Sequence, residues 1–260
     1  KKLGIELNLF EYKEVSIEIN ENKFEISLAK KYDLADFDCF IFRGYEQYNN
    51  IREVMFRYLK EKGKAEGILN YGSFSTIPSS WNKLHQYCVM KQNDIPIPDT
   101  LFFSNNEEIN NLKEDAYLTK PIHGTHGKGI AKLSNIEFNE EMPLNEYLLQ
   151  KRINNNYDLR IVVIGDKVLG GFKKELVEGS VVSNFSQGSE IKKIHVNSDL
   201  QALSLKVNKV FNLEYSGIDL MKDKNEDFYR VLEVNRMPQF TGFEKVHPNI
   251  SVASEILSYL

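Results

Sequence analysis

Glu233-Val234-Asn235 closes a β-type run, Phe228-Tyr229-Arg230-Val231-Leu232, near the C-terminal end of the chain. Residues i and i+2 of a strand point to one face, so Glu233 and Asn235 project together. A second run, Ser216-Gly217-Ile218-Asp219-Leu220-Met221, precedes it, and the polar stretch Lys222-Asp223-Lys224-Asn225-Glu226-Asp227 reads as the turn of a hairpin. Asp219 and Glu233 each lie seven residues from Glu226, which sets them across from one another. Like charges directly opposed on a sheet are destabilising, and a bound divalent cation removes the conflict. Two carboxylates and an amide oxygen, with room left for waters and phosphates, suit Mg2+ better than a soft metal. Two exposed acids beside a turn would give the same letters, so the rest of the chain must decide.

Leu118-Thr119-Lys120-Pro121 leads into Gly124-Thr125-His126-Gly127-Lys128-Gly129-Ile130. A strand ending in Lys followed by three glycines can cradle phosphate, because glycines let backbone N–H groups approach an anion and the Lys adds a point charge. Neither a Walker loop nor the G-x-G-x-x-G dinucleotide fingerprint is present, and a simple hairpin turn is the plainer reading of the loop alone. His123 and His126 have no Cys or His partners at metal spacing, which argues against zinc. Asp158 and Arg160 alternate on one strand face ahead of the apolar Ile161-Val162-Val163-Ile164. A guanidinium held there could grip an acyl or phosphoryl oxygen bidentately; a surface Asp–Arg pair is the alternative. Either Lys173 or Lys174 should share the face of Arg160.

These residues need elements to hold them. Ile5–Phe10 and Phe24–Leu28 are strand-like, and Phe37–Gly44 reads as a buried strand ending in a loop. Ile51–Lys60 has helical spacing with a stop at Gly63, and Ile68-Leu69-Asn70 is a further short strand. Strands alternating with helices imply a parallel sheet with helical cover. A helix is expected from Ser79-Ser80-Trp81-Asn82 to about Asn93, then a rigid extended link through Pro96 and Pro98. Further along come a strand over Ala116–Lys120, an apolar segment Leu148–Ile153 and a hairpin Tyr157–Gly171 turning at Gly165-Asp166. A polar loop Gly179–Gly188, a helix Asp199–Phe211, the acidic hairpin and a terminal helix from about Ile250 complete the pattern.

The chain has 260 residues, enough for a large core and two domains, with 42% hydrophobic and 27% charged residues, an ordinary globular composition. A net charge of −4 argues against a nucleic-acid surface. No apolar stretch nears the roughly 20 residues that span a bilayer, and no signal peptide or lipidation motif stands out. Lys1-Lys2-Leu3-Gly4 looks like the tail of a helix, so some N-terminal sequence is expected to be missing. Cys39 and Cys88 sit in apolar runs and are expected to be buried free thiols in a reducing cytoplasm.

The order of motifs resembles the ATP-grasp superfamily, and within it the RimK-like carboxylate–amine ligases. The resemblance is carried by Asn82-Lys83, the Lys120 strand with Gly124–Gly129, Leu149-Gln150 into a linker, Asp158-Leu159-Arg160 and Ser183-Asn184. Gly217-Ile218-Asp219, Glu233-Val234-Asn235 and the tail Asn235–Lys245 complete it, over roughly residues 80 to 255. It implies an α/β (α+β) ATP-grasp fold. A Rossmann-like N-terminal domain would span 1–79, a lid subdomain 80–153 and an antiparallel catalytic subdomain 154–260, with nucleotide between the last two.

By the same resemblance, Lys83 and Lys120 bind ATP phosphates under a lid formed by Gly124, Thr125, Gly127 and Gly129. Gln150 and the backbone of Lys151, Arg152 and Ile153 meet the adenine, and Asp158, Ser183 and Asn184 contact the nucleotide. Asp219, Glu233 and Asn235 hold one or two Mg2+ ions, for which Mn2+ can substitute. Arg160, with Lys174 as a second candidate, stabilises an acyl phosphate. Relatives carry an acid at Lys151, a basic residue at Val182 and Gly at Gln239, departures that bear on adenine, phosphate and acceptor contacts. The implied activity is ATP-dependent ligation of an amino acid such as glutamate to a peptide, protein or small-metabolite acceptor. The implied setting is cytoplasmic, without nucleic acid or membrane, and a homo-oligomer is compatible with it. A nucleotide-binding regulator without turnover, and a tailoring ligase of peptide natural products, share the same motifs.

Overall fold

A computed structural model describes residues 4–43, 48–76, 81–104, 109, 112, 114–124, 127–139, 142–175 and 190–260. The chain divides into two compact units, Lys1–Tyr71 with Ala253–Leu260, and Gly72–Val252.

In the first unit, β1 (Val15–Asn20), β2 (Lys23–Leu28) and β3 (Tyr32–Asp33) form an antiparallel sheet in that order. Helix α1 (Asn49–Glu61) buries Met55, Phe56, Tyr58 and Leu59 along one stripe, the spacing that its sequence shows. Gly63 follows with φ +73°, a left-handed helix stop. Tyr58 is sealed in this core, and its hydroxyl donates to both oxygens of Asp33 at 2.8 and 2.9 Å.

The expected parallel sheet is corrected here. Among the described residues its trace is one parallel bridge between Phe40 and Ile68. Ile5–Phe10 forms no strand ladder among the described residues, and Leu7 and Leu9 are 74% and 91% exposed. An alternating pattern becomes a strand only when a neighbour takes its backbone groups. Cys39 and Cys88 are both exposed, against expectation. Cys39 precedes the buried Phe40 of the bridge and so turns the other way.

The second unit begins with the single turn α2 (Ser73–Thr76) and α3 (Lys83–Gln92). Asn82 caps α3 by accepting the His85 N–H at 2.9 Å, a contact of about 1 kcal/mol. The buried stripe of α3 runs through Lys83, Gln86, Tyr87 and Met90, which leaves Cys88 on the solvent side. A four-stranded antiparallel sheet follows, ordered β4 (Thr100–Leu101), β7 (Tyr147–Lys151), β5 (Tyr117–Pro121), β6 (Ala131–Lys132). Leu133, Leu144 and Leu149 form a small core beneath it.

The larger sheet has five antiparallel strands. Their order is β10 (Ile191–Ile194), β9 (Lys167–Glu175), β8 (Tyr157–Ile164), β11 (Tyr215–Lys222), β12 (Tyr229–Asn235). Gly165-Asp166 turns β8 into β9, as the sequence predicts. One face packs Leu159, Ile161, Val163, Ile218, Leu220, Val231 and Val234 against α3 and α4 (Ser198–Val210). Burial of these side chains is the dominant stabilising contribution to the unit. Period-two alternation therefore turns Asp158, Arg160, Lys174, Asp219 and Glu233 to the opposite face. Two helices, α5 (Thr241–Val246) and α6 (Val252–Tyr259), end the chain.

Candidate active site

On that face the two hairpins interlock in register. Asp219 pairs with Glu233 on one side and with Arg160 on the other, and Asp158 pairs with Lys174. The symmetric placement around Glu226 is therefore what the strands adopt. A bulge follows at once, because Leu220 pairs with Val231 and Leu232 is the extra residue. Bulges re-aim side chains and gather near functional sites.

The repulsion between opposed carboxylates is answered by cations of the chain itself. Arg160 Nε donates to Asp219 Oδ1 at 2.7 Å and a terminal guanidinium nitrogen to Oδ2 at 2.5 Å, a bidentate pair. Lys174 Nζ lies 3.0 Å from Asp158 Oδ1 and 3.5 Å from Asp219 Oδ1. Asn235 donates its amide to Asp219 Oδ2 at 3.4 Å. Burial alone would raise Asp219, but Arg160 and Lys174 outweigh it and hold the carboxyl down to about 2. Burial would lower Arg160, and Asp219 raises it instead. Lys174, rather than Lys173, shares this face, for Lys173 pairs with Glu175 and lies over the Tyr157 ring.

Lys120 and Lys83 meet this face from the smaller sheet and α3. Both are 8% exposed. Burial pushes the Lys120 ammonium down to about 8; Lys83 adds to the effect, while Glu233, Asp158 and Asp219 oppose it. Lys83 Nζ donates to the carbonyl of Gly124 at 2.8 Å, which ties α3 to the first glycine of the loop. Gly127 and Gly129 hold φ of +67° and +76°, and a Cβ on Gly129 would sit 2.7 Å from Pro121 Cγ. Only glycine fits there without strain. Thr125, His126, Val182, Ser183, Asn184 and the Gly179–Gly188 loop lie outside the described residues.

At the end of β7 the groups expected to meet adenine are largely engaged. The Lys151 N–H donates to Asp99 O and the Arg152 N–H to Ala116 O, each at 2.8 Å. Gln150 is buried and its amide donates to Thr100 Oγ1 at 3.0 Å. The Lys151 side chain is exposed, with Asp99 Oδ2 3.4 Å away. Ile153 accepts the Asn155 N–H at its carbonyl.

Sequence reasoning missed Trp81, Gln86 and Tyr87, which bond the backbone of β12. Trp81 Nε1 donates to Val234 O at 2.7 Å, the Val234 N–H donates to Gln86 Oε1 at 2.9 Å, and the Tyr87 hydroxyl donates to Leu232 O at 2.7 Å. The available signal was Gln86 itself, a polar residue on the apolar stripe of a helix, which must find a partner.

For metal, the face offers two carboxylates and one amide oxygen. Among the described residues no group of three or more His, Cys, Asp or Glu side chains is placed to hold a metal ion. All three donors are hard oxygens, a set that fits Mg2+ with waters or phosphates completing the shell.

The sequence model of a family described as "RimK-like ATP-grasp domain" matches residues 80–260. The glutamate–LysW ligase ArgX of Sulfolobus acidocaldarius is 26% identical over 241 residues, 87% of this chain and 83% of that protein. A probable alpha-L-glutamate ligase of Legionella pneumophila is 27% identical over 207 residues, 75% of this chain and 67% of that one. In structure, the ATP-grasp ligase PsnB complexed with minimal precursor matches with a TM-score of 0.69 at 18% identity, covering 99% of this chain and 91% of that one. A PsnB structure with a phosphomimetic precursor variant, Mg and ADP matches at 0.60 and 20% identity, over 82% of this chain and 68% of that one. The α/β architecture with antiparallel sheets is thus that of ATP-grasp ligases.

Proposed function

The chain belongs to the RimK-like ATP-grasp family, and from that premise we propose that it couples an amino acid, glutamate first among candidates, to a peptide, protein or small-metabolite acceptor. It is an ATP-dependent ligase forming C–N bonds between a carboxylate and an amine. The observation that carries the residue assignments is the register that opposes Asp219 to Glu233 with Arg160 alongside.

In this reaction a carboxylate oxygen attacks the γ-phosphorus of ATP, the bond to the β–γ bridging oxygen breaks, and ADP departs from an acyl phosphate. The amine nitrogen then attacks the acyl carbon, and phosphate and a proton leave as the amide forms. Such transfer needs positioning and charge neutralisation more than covalent help. Lys83 and Lys120 neutralise phosphate charge from one side, the buried Lys120 strongly because little water screens it. Arg160, paired with Asp219 before nucleotide arrives, turns its planar fork to the acyl phosphate and the tetrahedral adduct once Asp219 is released. Lys174 is held between Asp158 and Asp219 and is the second cation for that charge. The glycine loop, tethered through Gly124 to Lys83, excludes water over the phosphates. Asp219, Glu233 and Asn235 would hold one or two Mg2+ ions, which supply Lewis-acid charge at the phosphoryl oxygens, and Mn2+ is expected to replace them. Gln150, Ile153 and the carbonyls of Lys151 and Arg152 remain the proposed adenine contacts.

The relatives named as glutamate ligases support glutamate as the amine donor. PsnB, complexed with a precursor peptide and matched along nearly the whole chain, supports a peptide acceptor as the second reading. No described helix is long and apolar enough to cross a membrane, in keeping with the cytoplasmic setting proposed here. The test is Mg-ATP consumption across pooled amino acids and candidate peptide acceptors, read by mass. The expected result is ADP release with an acceptor heavier by one amino-acid residue. ATP bound tightly without hydrolysis or transfer under any pairing would instead mark a regulator.

A further inference from the structure

Strand β12 is the edge of the five-stranded sheet. An edge strand leaves a row of backbone groups unpaired. Here that row is taken up by the α3 segment. Val231 N–H donates to Pro96 O at 2.8 Å. Leu232 O accepts from Tyr87, Val234 N–H donates to Gln86, and Val234 O accepts from Trp81. The bonds fall on the bulged residue Leu232 and on Val234, between Glu233 and Asn235. A bulge leaves its extra residue without a ladder partner, so the Tyr87 hydroxyl supplies the bond that the ladder does not. Without it, a slip of one residue would turn Glu233 away from Asp219.

The helix that makes these bonds also carries Lys83 in its first turn. Lys83, Gln86 and Tyr87 are spaced three and four apart, so they share one helical face. The distance from the Lys83 ammonium to the Glu233–Asn235 pair is therefore set by a rigid helix rather than by a loop. We propose that Gln86, aided by Tyr87 and Trp81, is a positioning residue that fixes the bulge of β12 and so aligns Glu233 and Asn235 with Lys83. Its functional half rests on the ligase reading above, because only there do Glu233 and Asn235 hold metal.

Two measurements decide it. Hydrogen exchange at the Val234 amide tests the clamp without any ligand. Gln86→Leu keeps the volume but loses the acceptor, and exchange should rise about tenfold or more. Gln86→Glu keeps an acceptor and should return it to within about twofold of wild type. An unchanged rate in Gln86→Leu overturns the clamp. The second measurement titrates Mn2+ into the ADP complex. Gln86→Leu should weaken metal affinity about tenfold while metal-free ADP affinity stays within about twofold, since Glu233 and Asn235 touch only the metal. Equal loss of both affinities, or no loss, overturns the positioning role. Tyr87→Phe removes a single hydroxyl and should shift the metal titration in the same direction should Gln86→Leu not fold. If wild-type protein bound no metal–nucleotide complex, the ligase reading would fall, while the exchange rates would still decide the clamp.

Discussion

Lys120 is a buried ammonium with Lys83 close enough to depress it further, and Glu233, Asp158 and Asp219 only partly compensate. Such a site is short of negative charge, which the proposed nucleotide phosphate would supply. The sign of the pH effect follows. The folded pKa of about 8 lies below the ordinary lysine value of 10.5, so between those values the unfolded chain binds more protons. Raising pH from about 8 to 10 therefore adds stability through this group, and Lys120→Met should remove that slope in thermal unfolding. Nucleotide affinity should move the other way. ADP binding should weaken by up to about tenfold per pH unit above pH 8 in fluorescence titrations, as the ammonium is lost. Lys120→Arg, charged throughout, should flatten the profile. At this scale the sequence was legible where a residue type has one use. The Asp219–Glu233 opposition could be placed from spacing alone, whereas spacing left Lys120 and Arg160 with plainer alternatives and their roles rested on the family resemblance. Gln86 could not, because its partner is 148 residues away in the chain.

Elements built from local signals were the readable ones. Gly165-Asp166 and the Lys222–Asp227 turn announce their hairpins, and Gly63 stops α1 where the spacing ends. The bulge at Leu232 was invisible, since it depends on which residues face β12 from across the sheet and from α3. Ile5–Phe10 was misread because alternation carries no information about whether a partner strand exists. The glycine loop gives an element-scale prediction. Gly129→Ala adds left-handed strain and a contact with Pro121, while Gly63→Ala adds similar strain with nothing within 4 Å. Each should cost about 1 kcal/mol or more in stability. Only Gly129→Ala should raise the KM for ATP, by about tenfold, because in the proposed site only that strain would bear on closure of the loop over phosphate. Equal KM values in the two variants would remove the loop from the nucleotide site.

Across the whole constellation, Lys83, Lys120, Arg160 and Lys174 face Asp158, Asp219 and Glu233, an excess of one positive charge. Both oxygens of Asp219 are already taken by Arg160, with Lys174 and Asn235 adding to the hold. A divalent cation arriving alone would have to break a bidentate, largely buried pair and enter a positive field. Removing the partner of such a pair costs about 3–5 kcal/mol, more than a lone weakly bound ion returns. On the proposed reading a nucleotide would change the balance, because its phosphates would offer Arg160 and Lys174 other oxygens and release Asp219 toward metal. The charges then predict a ligand order: nucleotide before, or together with, metal. Thermal unfolding distinguishes the cases, since a ligand at 100 times its Kd stabilises by about 2.7 kcal/mol. Mg2+ alone should leave the midpoint within about 1 °C, ADP alone should raise it slightly, and both together should raise it by about 5–10 °C. Asp219→Asn should abolish the gain from adding Mg2+ to ADP while keeping that from ADP. A shift with Mg2+ alone as large as with both would mean that Arg160 does not guard Asp219, and that the metal site is formed before any phosphate arrives.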